Sequence, residues 1–251
     1  MAFRTQTRQK YKDAVYSNLE QCITLHTRRN QNPTFKAHVL RVSQYQTERI
    51  QHTYDDCMQL ERYGLALNYF KDDLYSAKDY SSRGHDIKKI YPIIERIMPN
   101  RLFNILAHIM ELNALSMDLD ERQTTALIDM HAIDRITQEN YAHAFRTSAS
   151  KEERIHQIDL MLSIGTELDS LMGKNYLGGV LKLSNTPAHA LGLGNLHGFL
   201  SRGYTAFMKM DGAEPLINVI FERENAILDA IFSGAPNPFN IDKNHYRPAL
   251  K

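Results

Sequence analysis

The sequence predicts an all-α fold: a multi-helix bundle with long N-terminal helices, a buried central helix at about 100–119 and a glycine-rich helical C-terminal half. Three observations carry this expectation. No run alternates apolar and polar residues with β-branched enrichment, as a half-buried strand would. Apolar side chains recur at helical spacing along most of the chain. Glycine is scarce early: Gly64 and Gly84 are the only ones before Gly165, so little interrupts that periodicity.

Residues 5–28 and 34–63 read as two long helices. Asn32-Pro33 separates them, since proline offers no amide hydrogen and disfavours helix in the residue before it. Thr34 is placed to cap the second helix. After an interruption at Gly64, Leu65 to Tyr75 continues as a shorter helix. AKDYSSRGHD is a loop rich in capping residues, and Ser81 or Ser82 opens the helix that follows. Pro92 should kink that helix and Met98-Pro99 end it.

Residues 100–119 carry Leu102, Phe103, Ile105, Leu106, Ile109 and Met110 on nearly every face, which places this helix at the centre of a bundle. Glu121 to Arg146 reads as a more amphipathic helix. TSASKEE breaks the chain next, with Ser150 and Glu153 matching the S-x-x-E capping box. Ile155, Ile158, Met161, Leu162, Leu168, Leu171 and Met172 then form a narrow stripe. Beyond Gly173 the glycines at 178, 179, 192, 194, 198 and 203 predict short helices with close approaches. MDGAEP is a turn, and Pro215 suits the first position of a last helix carrying Leu216, Ile220, Ile227 and Ile231. Residues 1–232 are expected as one helical domain, with a subdivision point near 147–150. Residues 233–251 form a proline-containing tail, anchored by Phe239 and Tyr246 or frayed.

Bulk chemistry narrows the function classes. Asn104, His108, Glu111 and Asn113 break the longest apolar passages, so no stretch reads as a membrane span. The polar start MAFRTQTRQKYKD lacks the apolar core of a secretory signal, and cytoplasm is the expected compartment. Cys22 and Cys57 then read as free thiols that fill small packing sites. A net charge of +1 argues against a dedicated nucleic-acid binder. The first 50 residues hold nine Lys and Arg against three Asp and Glu, read here as a solvated helix face.

No motif commits the chain to a reaction. Glu153 with His156 is the only Glu-x-x-His pair, where a di-iron bundle needs two, and Glu153 is accounted for as a cap. His108 and Glu111 share one face of the central helix, and a hydrogen-bonded polar layer explains them more simply than a metal does. His85-Asp86 lies in a first helical turn, where Asp86 favours the helix dipole without any function. GLGNLHG misses the dinucleotide-binding spacing and is accounted for as a helix-to-helix corner; His189 and His197 stand where they could meet a ligand, but nothing in the sequence requires one. Asp72 and Asp73 point in directions about 100° apart on a helix, so one of them is expected to pair with Arg83 as an ionic pin.

These residues also carry a resemblance. YFKDDLYS, Tyr69 to Ser76, is similar to the motif of a bacterial family of uncharacterised proteins named for FFLEELY. Phe70, Leu74 and Tyr75 match, while Asp72 and Asp73 stand where the family has glutamates. Lys71 replaces an apolar residue and Ser76 a glycine, so the chain resembles a divergent member. The similarity runs on through DYSSRGHDIKKIYP and ELNALSMDLD, and more loosely to MDGAE. It implies one coherent helical protein and brings no activity, cofactor or partner.

The expectation is therefore a non-catalytic helical protein with no cofactor and no metal, binding a protein partner or an apolar small molecule. The alternative is a helical enzyme, metal-assisted or not, using acids and histidines of residues 68–120. Its candidate residues, in either a functional or a structural ionic network, are Asp72, Asp73, Tyr75, Arg83, Asp86, His108 and Glu111.

Overall fold

The structure is a computed structural model and describes residues 2–69, 71, 91, 100–172, 178–179, 181–182, 185–186, 189 and 194–246. Its helices are α1 (Ala2–Gln31), α2 (Pro33–Met58), α3 (Glu61–Tyr69), α4 (Asn100–Asp129), α5 (Gln138–Thr147), α6 (Lys151–Met172), α7 (Gly194–Met208) and α8 (Glu214–Ser233). No strand occurs among the described residues, so the fold is all-α as expected. The expected loop at 77–86, the kink at Pro92 and the stop at Met98-Pro99 lie outside the described residues.

α4 is the post around which α1, α2, α5 and α6 gather. On its α1 side Phe103, Ala107, Met110 and Ala114 recur every three or four residues and meet Val15, Leu19 and Cys22. Large side chains alternate there with alanines, which lets the two helices interdigitate closely. Arg8 reaches Asn100 and Asn113 donates to Cys22 Sγ at 3.0 Å, so α1 and α4 run parallel. α6 runs antiparallel to α4, with Arg101 on Ser170 at one end and Arg122 on Glu153 at the other.

Two further clusters complete the core. Val42, Leu127, Ile133, Tyr141 and Ala144 join α2, α5 and the end of α4. Tyr54, Cys57, Tyr63, Leu67, Ala206 and Leu216 join α2, α3, α7 and α8. Burying each large apolar side chain of this kind contributes about 1.5–3 kcal/mol. Cys22 and Cys57 fall in different clusters, both free and buried.

Several expected boundaries move. Asn32, not Thr34, caps α2: its side chain accepts from Phe35 N at 3.0 Å, because Pro33 already occupies the first helical position. α2 ends at Met58, and Gly64 lies inside α3. The glycine serves close approach there, since a Cβ would stand 2.6 Å from the Met58 carbonyl oxygen. α4 continues ten residues past Leu119, because nothing before His131, in the left-handed region at φ 53°, stops it. The amphipathic helix expected from Glu121 to Arg146 is thus the end of α4, a turn, and α5 capped by Thr137. Ser150 and Glu153 do form the reciprocal capping box, at 3.2 and 2.8 Å. Ile155 is exposed while Leu160 is buried, since α6 packs against both α4 and α8. Pro215 takes the second position of α8, after Glu214.

Candidate functional site

α7 opens at Gly194 because a histidine ring needs the space. A Cβ on Gly194 would lie 2.7 Å from the Cε1 and Nδ1 atoms of His189. One turn on, His197 turns toward the segment before α7, and its Nε2 lies 2.8 Å from the Leu181 carbonyl oxygen. A carbonyl only accepts, so Nε2 carries the proton and Nδ1 of the neutral ring is an acceptor. That Nδ1 faces Ser201 Oγ at 3.5 Å, one further turn along α7. The two imidazole centroids stand 6.2 Å apart.

Between these groups lies a widely open hollow of about 430 Å³, lined by Leu181, Lys182, Asn185, the two histidines, Gly198 and Ser201. Its volume falls in the usual range of small-molecule sites, about 300–1,000 Å³. Leu181, Gly198 and the ring faces supply apolar surface, while Lys182 and Asn185 supply donors. No carboxylate is among the described lining residues. Among the described residues no three His, Cys, Asp or Glu side chains converge as metal ligands. The arrangement is suited to holding a small molecule by apolar contact and a few hydrogen bonds.

GLGNLHG thus marks the site by its glycines. The four-residue spacing of His197 and Ser201 on one helix face was a second signal, and Lys182 and Asn185 had none.

His108 and Glu111, expected together on one face, both turn toward α6 but do not meet each other. Glu111 Oε1 lies 2.8 Å from His156 Nε2, and His108 Nδ1 lies 3.4 Å from Glu167 Oε1. Asn104 also donates to Glu167, at 3.0 and 3.1 Å. These pairs belong to a polar seam along the α4–α6 contact, closed by Gln157 on Ser116 at 2.8 Å. Asp72, Asp73, Tyr75, Arg83 and Asp86 lie outside the described residues.

A different acid pair forms an ionic clasp that sequence reasoning missed. Arg223 of α8 is wholly buried, and its guanidinium donates to both Asp56 carboxylate oxygens at 2.8 Å. It also donates to the carbonyls of Thr53 at 2.7 Å, Tyr246 at 3.0 Å and Lys243 at 3.3 Å. α2 leaves helical geometry at Tyr54, next to the carbonyl that Arg223 takes, as expected where a side chain enters a helix ladder. Lys243 Nζ meets Asp55 at 2.8 Å, so Lys243 ties the tail to the end of α2, while the Tyr246 carbonyl is held by Arg223 of α8. Burial raises the Asp56 carboxyl, but the hydrogen bonds and charge of Arg223 outweigh it and hold the group below its ordinary value. Arg28 and Arg29 likewise converge on buried Glu121; Arg29 is mostly covered there, so its charge is internal, while the Arg28 side chain still faces solvent.

A second buried cation has no such partner among the described residues. Arg154 of α6 stacks 3.8 Å from the Phe145 ring centroid and reaches only amide oxygens, of Gln123 and Gln157, each at 3.4 Å. Burial lowers its guanidinium to about 10.

No helix among the described residues is long and apolar enough to cross a membrane. No curated protein and no solved structure matches the chain. A family model described as a domain of unknown function, DUF8198, matches residues 25–238, from the end of α1 through the first part of the tail. The chain belongs to the DUF8198 family.

Proposed function

We propose that the chain is a non-catalytic cytoplasmic binding protein whose ligand is a small molecule with an apolar body, seated in the hollow between His189 and His197. The observation that supports this reading is the hollow itself: about 430 Å³, apolar over Leu181 and Gly198, with donors from Lys182 and Asn185. In the same proposal Asp72 or Asp73 pairs with Arg83 as a structural pin, by the chemistry that joins Asp56 to Arg223. The YFKDDLYS stretch relates the chain to bacterial proteins with the FFLEELY motif.

Native mass spectrometry of the chain purified without denaturation tests the reading. The wild type is expected to carry a non-covalent small-molecule adduct. Gly198→Leu, which pushes a side chain into the hollow, is expected to lose it. A wild-type spectrum free of adduct, both as purified and after incubation with a lipid-soluble cell extract, refutes the proposal.

A further inference from the structure

We infer that the ligand of this hollow bears an anionic head, a carboxylate or a phosphate; the inference rests on the ligand-binding reading above. The chain as a whole holds 29 acids against 30 Lys and Arg, so a polar site drawn at random would include carboxylates. The described lining holds Lys182 and two imidazoles and no acid. Lys182 has no carboxylate partner among the described residues, and its ammonium offers three donors and no acceptor. Arg202 adds a second cation at the edge, its Nη1 lying 3.5 Å from where a Gly198 Cβ would stand.

The hydrogen-bond directions agree. His197 spends its Nε2 proton on the Leu181 carbonyl, so the neutral ring presents only an acceptor, and that acceptor faces Ser201. Of the groups left to meet a ligand, the Asn185 amide and the His189 ring each offer a donor and an acceptor, and the Lys182 ammonium, which only donates, tips the balance toward an acceptor. A cationic ligand would meet Lys182 with no carboxylate among the described lining residues to offset the repulsion. Charge-assisted hydrogen bonds of this kind are about twice as strong as neutral ones, which sets the expected discrimination.

The test follows the histidine ring carbon–proton NMR signals of the full chain, assigned with His189→Gln and His197→Gln. Four probes share one apolar body: octanoate, octyl phosphate, octanol and octylammonium. Octanoate or octyl phosphate is expected to shift both histidine signals with an affinity about tenfold or more above that of octanol, and the stronger of the two names the head. Lys182→Gln is expected to remove that margin and Lys182→Arg to keep it; the side chain is exposed, so the fold tolerates both. Equal or tighter binding of octanol or octylammonium overturns the anionic head and leaves the ligand-binding reading standing. Silence of both histidine signals with all four probes overturns the two together.

Discussion

Replacing Asp56 by alanine removes the only carboxylate among the described residues that the guanidinium of Arg223 touches, and the cost can be worked from the geometry. Arg223 is wholly buried and cannot shed its proton in a protein. Breaking a buried ion pair from one side typically costs about 3–5 kcal/mol, because the remaining charge is left uncompensated. Two features place Asp56→Ala at the low end. The carbonyls of Thr53, Lys243 and Tyr246 still accept from the cation, and Asp56 is 19% exposed, so water can enter where it stood. The expected loss is about 3 kcal/mol. Urea denaturation followed by far-ultraviolet circular dichroism measures it, with Arg223→Met and the double variant completing a cycle. The double variant should lose less than the sum of the singles by about 1–2 kcal/mol, since an apolar pair leaves no orphan charge. A loss below about 1 kcal/mol for Asp56→Ala, or strict additivity, refutes the clasp as a stabilising unit. The clasp also sets a pH dependence. The folded carboxyl lies below its unfolded value of about 3.9, so its contribution is complete above that pH and lost as pH falls through the lower folded value.

Four other outcomes are expected. Ser150→Ala should cost about 1 kcal/mol by removing the cap of α6, read from the denaturation midpoint. Hydrogen bonds from Arg122 and the Ser150 amide hold Glu153 at about 2, so carboxyl NMR should show it titrating well below the exposed glutamates; a titration near 4 contradicts the capping geometry. Gly198→Ala should stabilise by about 0.4–1 kcal/mol, because a Cβ there meets only Arg202 Nη1 at 3.5 Å, whereas Gly203→Ala should destabilise, because its Cβ would stand 2.7 Å from the Tyr69 hydroxyl. Melting temperatures that move the same way for both would contradict this packing. Burial pushes the Cys22 thiol up and Cys57 to about 11, so a thiol reagent should label neither until the chain unfolds; fast labelling of the native protein contradicts their placement.

Elements with a local chemical signature were legible in the sequence. Asn32-Pro33 broke α1 from α2 where expected, and the Ser150–Glu153 box opened α6. The end of α2 was misplaced because Gly64 was read as a helix breaker, whereas its missing Cβ serves contact with Met58. α4 was cut short at Leu119 because Asp120 and Glu121 read as a polar start; Gln46 and Arg29 in fact receive them in the interior. The clasp was illegible for a related reason. Asp56 and Arg223 lie 167 residues apart, and no spacing rule connects them. The hollow was not legible: the glycines of GLGNLHG read as a helix corner, His189 and His197 stood outside the candidate residues, and Lys182 joins them only through the fold.

The most direct test is a crystal structure of natively purified protein, inspected between Lys182, His189 and His197. The account predicts density for a small molecule there, with its head toward Lys182 and its body along Leu181 and Gly198. Side chains that close the hollow, with the two imidazoles well beyond the 6.2 Å seen here, would contradict it.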